Sequence, residues 1–285
     1  RPSFKSLSAD SLFSMSGQVA SPSIAKLILA SLKTQSNLSK DLIQARRVAQ
    51  GLLLGLDPVA DVLPAIGPSW VFNVQSRDPE VSTSFPVDSL FAIDVKTEAT
   101  EDSPENGGTS VSAEAALDSS LRSGLGVLAG VHNVHAIGQK VSIVKERKVG
   151  AATIYFADPV AFFQPAFVIS NGQLVLATSP DLCETFLALT ANGETSTAGR
   201  SGNLQSVVAS SIATRQMLAG QREWFIRQAR RDKVSESDAE RRLEELEQFL
   251  QLLDRAWMTA SLDSRTLRVS AGIQAAASER PGVEK

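Results

Sequence analysis

Apolar and polar positions fall into short alternating runs and longer runs with helical spacing, separated by stretches rich in Gly, Pro, Ser and Asp. Alternation at a period of two predicts strands, and recurrence every three or four residues predicts helices. Asp10–Val19 reads as a strand. A helix is expected from Pro22, with Ile24, Leu27, Ile28 and Leu32 on one face, and a second from Lys40 to Leu54, stopped by Gly55. Strands follow in Ser69–Gln75 and Asp88–Lys96, a helix in Ala113–Val131, and two strands in Lys140–Arg147 and Ala151–Ala157 joined by a short basic turn.

Pro165–Asp181, PAFVISNGQLVLATSPD, is the most legible stretch. Asn171-Gly172 between two apolar runs predicts a β-hairpin, because both residues tolerate the positive φ of a type I′ turn. A two-residue loop sets Ile169 opposite Leu174 and Phe167 opposite Leu176. Val168, Val175, Ala166 and Ala177 line the other face. A hairpin apolar on both faces belongs inside a sheet, and burying its four large side chains contributes roughly 6–12 kcal/mol before entropy is subtracted. Ser179 then caps a helix opened by Pro180 and carrying Leu182, Phe186 and Leu189.

Farther on, Ser206–Ala213 reads as a strand. Two long helices are expected, Arg215–Arg231 and Asp238–Arg255. In the second, Ser237 and Glu240 form a capping box. Arg241 and Glu245 form an i,i+4 pair. Leu243, Leu246, Phe249, Leu250, Leu253 and Trp257 make one apolar stripe. Met258–Leu262 and Thr266–Gly272 read as a closing hairpin around Asp263–Arg265.

These elements predict an α+β protein: an antiparallel or mixed sheet packed by helices, with a C-terminal helical hairpin. Residues 1–203 form the expected main domain, with loops at 97–112 and 191–203 that hold too little apolar surface to offset ordering. Residues 204–277 add a strand, the helical pair and the closing β-hairpin, packed on the same sheet, and 278–285 form a disordered tail. Asp-Ser-Leu-Phe at Asp10 and again at Asp88 hints at internal duplication.

The 285 residues are 43% hydrophobic and 21% charged, with 28 basic and 31 acidic side chains and a formal charge of −3. A mildly acidic chain has no electrostatic reason to seek nucleic acid. No apolar run approaches the roughly 20 residues of a membrane-spanning helix. Cys183 is the single cysteine, so no internal disulfide forms. The chain opens on Arg1 rather than Met, which reads as a processed or trimmed product.

Few motifs carry chemistry. His132 and His135, the only histidines, stand at i,i+3 and can share a helix face toward a metal. A zinc site wants a third protein ligand, which Cys183 or a carboxylate would have to supply. The plainer reading is a helix end, where histidine meets the negative dipole terminus. Gly124, Gly126 and Ala129 fit a loose dinucleotide pattern with Glu146 about twenty residues on, but a helix precedes them where that mechanism requires a strand. They read instead as sites where a helix packs closely. Ser23 and Lys26 match S-x-x-K without its companion elements. Asp102–Glu114 resembles a calcium loop at Asn106 and Gly107, yet Pro104 holds the third position and Glu114 falls one residue late. Cys183, among apolar neighbours, reads as a small core residue. No catalytic residue and no cofactor is assigned.

Asp57–Val74 (DPVADVLPAIGPSWVFNV), the strand around Leu90–Val95, and Pro165–Leu189, in that order, resemble a bacterial family of envelope proteins catalogued as domain of unknown function 3352. The resemblance spans Asp10–Thr190 and implies an exported, extracytoplasmic protein of the periplasm or envelope. It lends no catalytic residues. The cytoplasm stays open as an alternative. Together these readings point to a non-enzymatic extracytoplasmic binding or assembly module with a protein partner. A carrier of an apolar ligand such as lipid is one alternative, and an enzyme with a site assembled from distant residues is another. The oligomeric state is left open.

Overall fold

The computed structural model describes residues 11–18, 62–77, 85–95, 112–135, 141–158, 163–191, 203–263 and 266–276, with isolated positions between 44 and 58. The expected helix from Pro22 and the loops at 97–111 and 192–202 lie outside the described residues. Of the expected Lys40–Leu54 helix, residues 44, 47, 48, 50 and 51 are helical. Gly55 follows at φ +92, its N–H bonded to Gln50 O at 2.7 Å.

Ten strands are described: β1 Ser11–Gln18, β2 Ile66–Ser76, β3 Val87–Val95, β4 Ile143–Val149, β5 Ala152–Asp158, β6 Ala166–Ser170, β7 Gln173–Ala177, β8 Asn203–Ser210, β9 Leu253–Asp263 and β10 Thr266–Ala275. The helices are α1 Ala113–His135, α2 Pro180–Ala191, α3 Ser211–Gly220, α4 Arg222–Arg231 and α5 Glu236–Gln251, and one helical turn, Leu63–Ala65, precedes β2. The strand order is β10-β9-β8-β1-β2-β3-β7-β6-β5-β4.

This corrects the expected fold class. One large antiparallel sheet of ten strands takes the place of an antiparallel or mixed sheet. Among the described residues no helical hairpin closes the chain, and the last described elements are the strands β9 and β10. The expected Arg215–Arg231 helix is two shorter ones. Gln221, at φ −111 and ψ 16, breaks the helical path after Gly220, a residue of poor helix propensity. Ser211–Ala213, expected in a strand, opens α3, because the Ser210 hydroxyl accepts from Ala213 N at 3.2 Å and caps the helix there. The cap of α5 is Ser235 rather than Ser237, with its hydroxyl accepting from Asp238 N at 3.2 Å. That hydroxyl, foremost, also holds the Asp238 carboxyl below the usual carboxylate range. Leu253 and Trp257, expected on the apolar helix stripe, lie in β9. The basic turn expected between β4 and β5 is a Gly150-Ala151 turn with Gly150 at φ +60, and Lys148 and Val149, expected in that turn, belong to β4.

The chain forms two compact units. The unit of residues 17–71 and 90–188 holds the hairpin. Asn171 and Gly172 take φ 51 and 70, and Ile169 faces Leu174 and Phe167 faces Leu176, the register the turn chemistry dictates. The hairpin is interior: β7 pairs with β3 and β6 with β5. Phe167, Val168, Leu174 and Val175 are buried. Helix α1 lays Leu117, Leu121, Leu125 and Ala129, one every fourth residue, against Ala157, Phe167 and Val95. Its end is pinned by Asn133, which donates to Ser142 O at 2.8 Å and accepts from Ser142 N at 2.6 Å. Ser179 Oγ accepts from Leu182 N at 3.4 Å at the start of α2, and Leu182, Cys183 and Phe186 are buried beneath it.

The unit of residues 1–16, 72–89 and 189–285 has its own core of Leu12, Ala213, Met217, Leu218 and Leu243, flanked by Val74, Phe225, Ile226 and Leu250. Beside it runs a buried polar network. Ser11 Oγ donates to Asn73 Oδ1 at 2.8 Å, Arg77 and Asp88 form a buried ion pair, and Gln221 Nε2 donates to Arg77 O at 2.9 Å. Arg77 and Asp88 thereby tie the end of β2 to the start of β3, and Gln221 ties the α3–α4 break to the same point.

Candidate functional site

The residues singled out for chemistry are not brought together by the described structure. His132 and His135 occupy the last turn of α1. His132 is half-buried, and the exposed His135 sets its Nδ1 2.8 Å from Val131 O. Among the described residues no three His, Cys, Asp or Glu side chains cluster in a way that could hold a metal. Gly124, Gly126 and Ala129 lie in mid-helix, with no strand-to-helix turn before them. The close packing expected of the two glycines is overturned, since a Cβ at either would meet nothing within 4 Å. Cys183 is fully buried, and desolvation pushes its thiol up to about 12, far from the range of a reactive thiolate. Ser23, Lys26 and Asp102–Glu105 lie outside the described residues. The Arg77–Asp88 pair is buried, mutually neutralising, and tied to backbone, which suits a clamp.

What stands out is the surface of β9 and β10. Their register sets Val269 opposite Ala260, Ala271 opposite Met258 and Ile273 opposite Ala256, and residues opposite one another in an antiparallel pair share a face. With Leu267, one face of the ribbon is therefore apolar along its length, and Val207 and Ala209 of β8 extend it. Leu267, Val269 and Ile273 are 60%, 59% and 70% exposed. The opposite face is polar: Arg268 opposite Ser261, Ser270 opposite Thr259, and Gln274 opposite Arg255, whose Nε donates to Gln274 Oε1 at 2.8 Å. On that face Gly272 leaves room for the indole of Trp257, whose ring lies within 2.7 Å of where a Cβ would stand.

Among the described strands β10 is also an end of the sheet. An edge strand presents unpaired N–H and C=O groups, and proteins blunt such edges with charge, proline or bulges. Along Thr266–Ala275 the only charged side chain is Arg268, and the register is regular until a shift at Gln274/Ala275.

The opposite edge, β4, is treated differently. Its sequence IVKERKV places Lys145, Glu146, Arg147 and Lys148 in a row. Lys145 Nζ lies 2.5 Å from Asp158 Oδ2, and Arg147 Nη1 lies 2.6 Å from Asp181 Oδ1 and 3.1 Å from Glu184 Oε2. The hydrogen bond to Asp181, foremost, raises the pKa of Arg147.

The sequence alone offered no sign of this surface. Alternating Leu267, Val269, Ala271 and Ile273 reads as a buried face, and only the strand order shows that no further strand among the described residues follows β10. No helix among the described residues is long and apolar enough to cross a membrane. The chain matches no family model, no curated protein and no solved structure.

Proposed function

We propose that the chain is a non-enzymatic binding or assembly module whose contact surface is the β9–β10 ribbon. The observation that carries this reading is the exposure of Leu267, Val269 and Ile273 in one row on an edge strand. Covering three such side chains at their present exposure contributes about 3–5 kcal/mol to an association. Large exposed apolar rows mark interaction sites on soluble proteins, and an open strand edge adds main-chain hydrogen bonds to whatever segment docks there. An extracytoplasmic address for the module rests on the resemblance of Asp10–Thr190 to the envelope family.

The test is capture by chemical cross-linking from the source cell, comparing the native chain with a Leu267→Lys/Ile273→Lys double variant. Both positions are exposed, so the variant keeps its circular dichroism spectrum. The reading expects specific cross-linked species, whether with other proteins or with the chain itself, that the variant loses. Identical captured species from both chains would contradict it.

A further inference from the structure

The composition of β10 says what it pairs with. Its regular run is Thr266–Gln274, and Ser270 is the middle residue. We propose that β10 pairs antiparallel with β10 of a second copy of this chain, about a two-fold axis through Ser270. The inference rests on the reading of the ribbon as a contact surface and names its partner.

A two-fold axis normal to the sheet keeps each side chain on its own face, so the strand is read against its own reverse. Ser270 then faces Ser270 of the second copy. On the apolar face Leu267 meets Ile273, and Val269 meets Ala271. On the polar face Thr266 meets Gln274, and Arg268 meets Gly272. Apolar thus meets apolar on one face, and on the other Ser270 meets Ser270 and Thr266 meets Gln274, with Arg268 beside Gly272. The one charged side chain never opposes its own copy. It falls instead beside Gly272, over which the Trp257 indole lies. The register that brings Arg268 against Arg268 leaves only about half the strand paired, so the longest overlap avoids that repulsion.

The other edge fails the same test. Turned on itself about Glu146, β4 sets Glu146 against Glu146 and Lys145 against Arg147, and like charges directly opposite one another are destabilising. Self-complementarity therefore belongs to β10 and not to exposed strands of this chain in general.

Sedimentation equilibrium of the 285-residue chain up to about 100 µM, enough to populate a micromolar dimer, tests the pairing. The native chain is expected to be dimeric. Ser270→Lys and Ser270→Glu each place like charges on the axis, and each should be monomeric with an unchanged circular dichroism spectrum. Mixing the two variants should restore a dimer containing one of each, which loss of folding could not do. Ser270→Cys should form an interchain disulfide on mild oxidation, and Leu267→Cys, which faces Ile273, should not. A monomeric native chain, or a dimer indifferent to Ser270→Lys, would overturn the proposal. A monomeric native chain that still captures a foreign protein, lost in Leu267→Lys/Ile273→Lys, would overturn the self-pairing while leaving the ribbon as a contact surface.

Discussion

Strands β4 and β10 are the two ends of one sheet order, and they solve the edge problem in opposite ways. β4 carries four charged residues in succession, two of them fixed by ion pairs to Asp158 and to Asp181 and Glu184. β10 carries one charge in ten residues and leaves Leu267, Val269 and Ile273 uncovered. An edge strand that forgoes charge risks indiscriminate pairing. The contrast within one sheet teaches that closing an edge with charge is within this chain's means, so the bare edge of β10 asks for a contact as its explanation.

Energetics give the sharpest way to break that comparison. Phe167 is buried inside the hairpin, and Phe167→Ala should cost about 3–5 kcal/mol in denaturant unfolding. Ile273, 70% exposed, should cost under about 0.5 kcal/mol when truncated to Ala at a concentration too low for association. A comparable loss from Ile273→Ala at low concentration would mean that β10 packs within its own chain, and the contrast between the edges would lose its basis.

Next in size is the Cys183 thiol, whose burial places it on the interior side of the same contrast. Its pKa is raised from 9.0 to about 12 by desolvation, so the unfolded chain ionises first. The stability this burial carries is fully present below pH 9 and is lost as pH rises from about 9 toward about 12. Native protein at neutral pH should alkylate at Cys183 at least about 100-fold more slowly than unfolded protein. Rapid labelling of the folded chain would show that this core opens readily.

The smallest effect is the most specific to the edges. Replacing Glu146, Arg147 and Lys148 together by Thr removes the charges of β4 while keeping strand-forming residues. The variant should gain a second mode of self-association in sedimentation experiments, independent of Ser270. If it sediments as the native chain does, charge is not what guards β4.

Legibility in the sequence followed the range of the forces involved. The Asn171-Gly172 hairpin, its register and the Ser179 cap were readable because turn and cap chemistry act over a few residues. The region after Ser210 was harder. Leu253 and Trp257 are four apart, a spacing that suits a helix face and equally one face of a strand, so period alone could not separate α5 from β9. Ser235 and Ser237 each precede an acidic residue by three positions, at Asp238 and Glu240, and the one that caps is fixed by the backbone turn before it. The strand order, which makes β10 an edge and turns an ordinary alternating row into the candidate site, depends on contacts distant in sequence and leaves no local mark.

The central claim is that β10, unlike β4, is an edge that its own copy covers. Amide hydrogen exchange followed from about 1 µM to about 100 µM protein, a range that spans dissociation of a micromolar dimer, tests it most directly. Protection should rise with concentration at amides of Thr266–Gln274 and stay constant at Ile143–Val149. Protection that is independent of concentration at both strands would contradict the account.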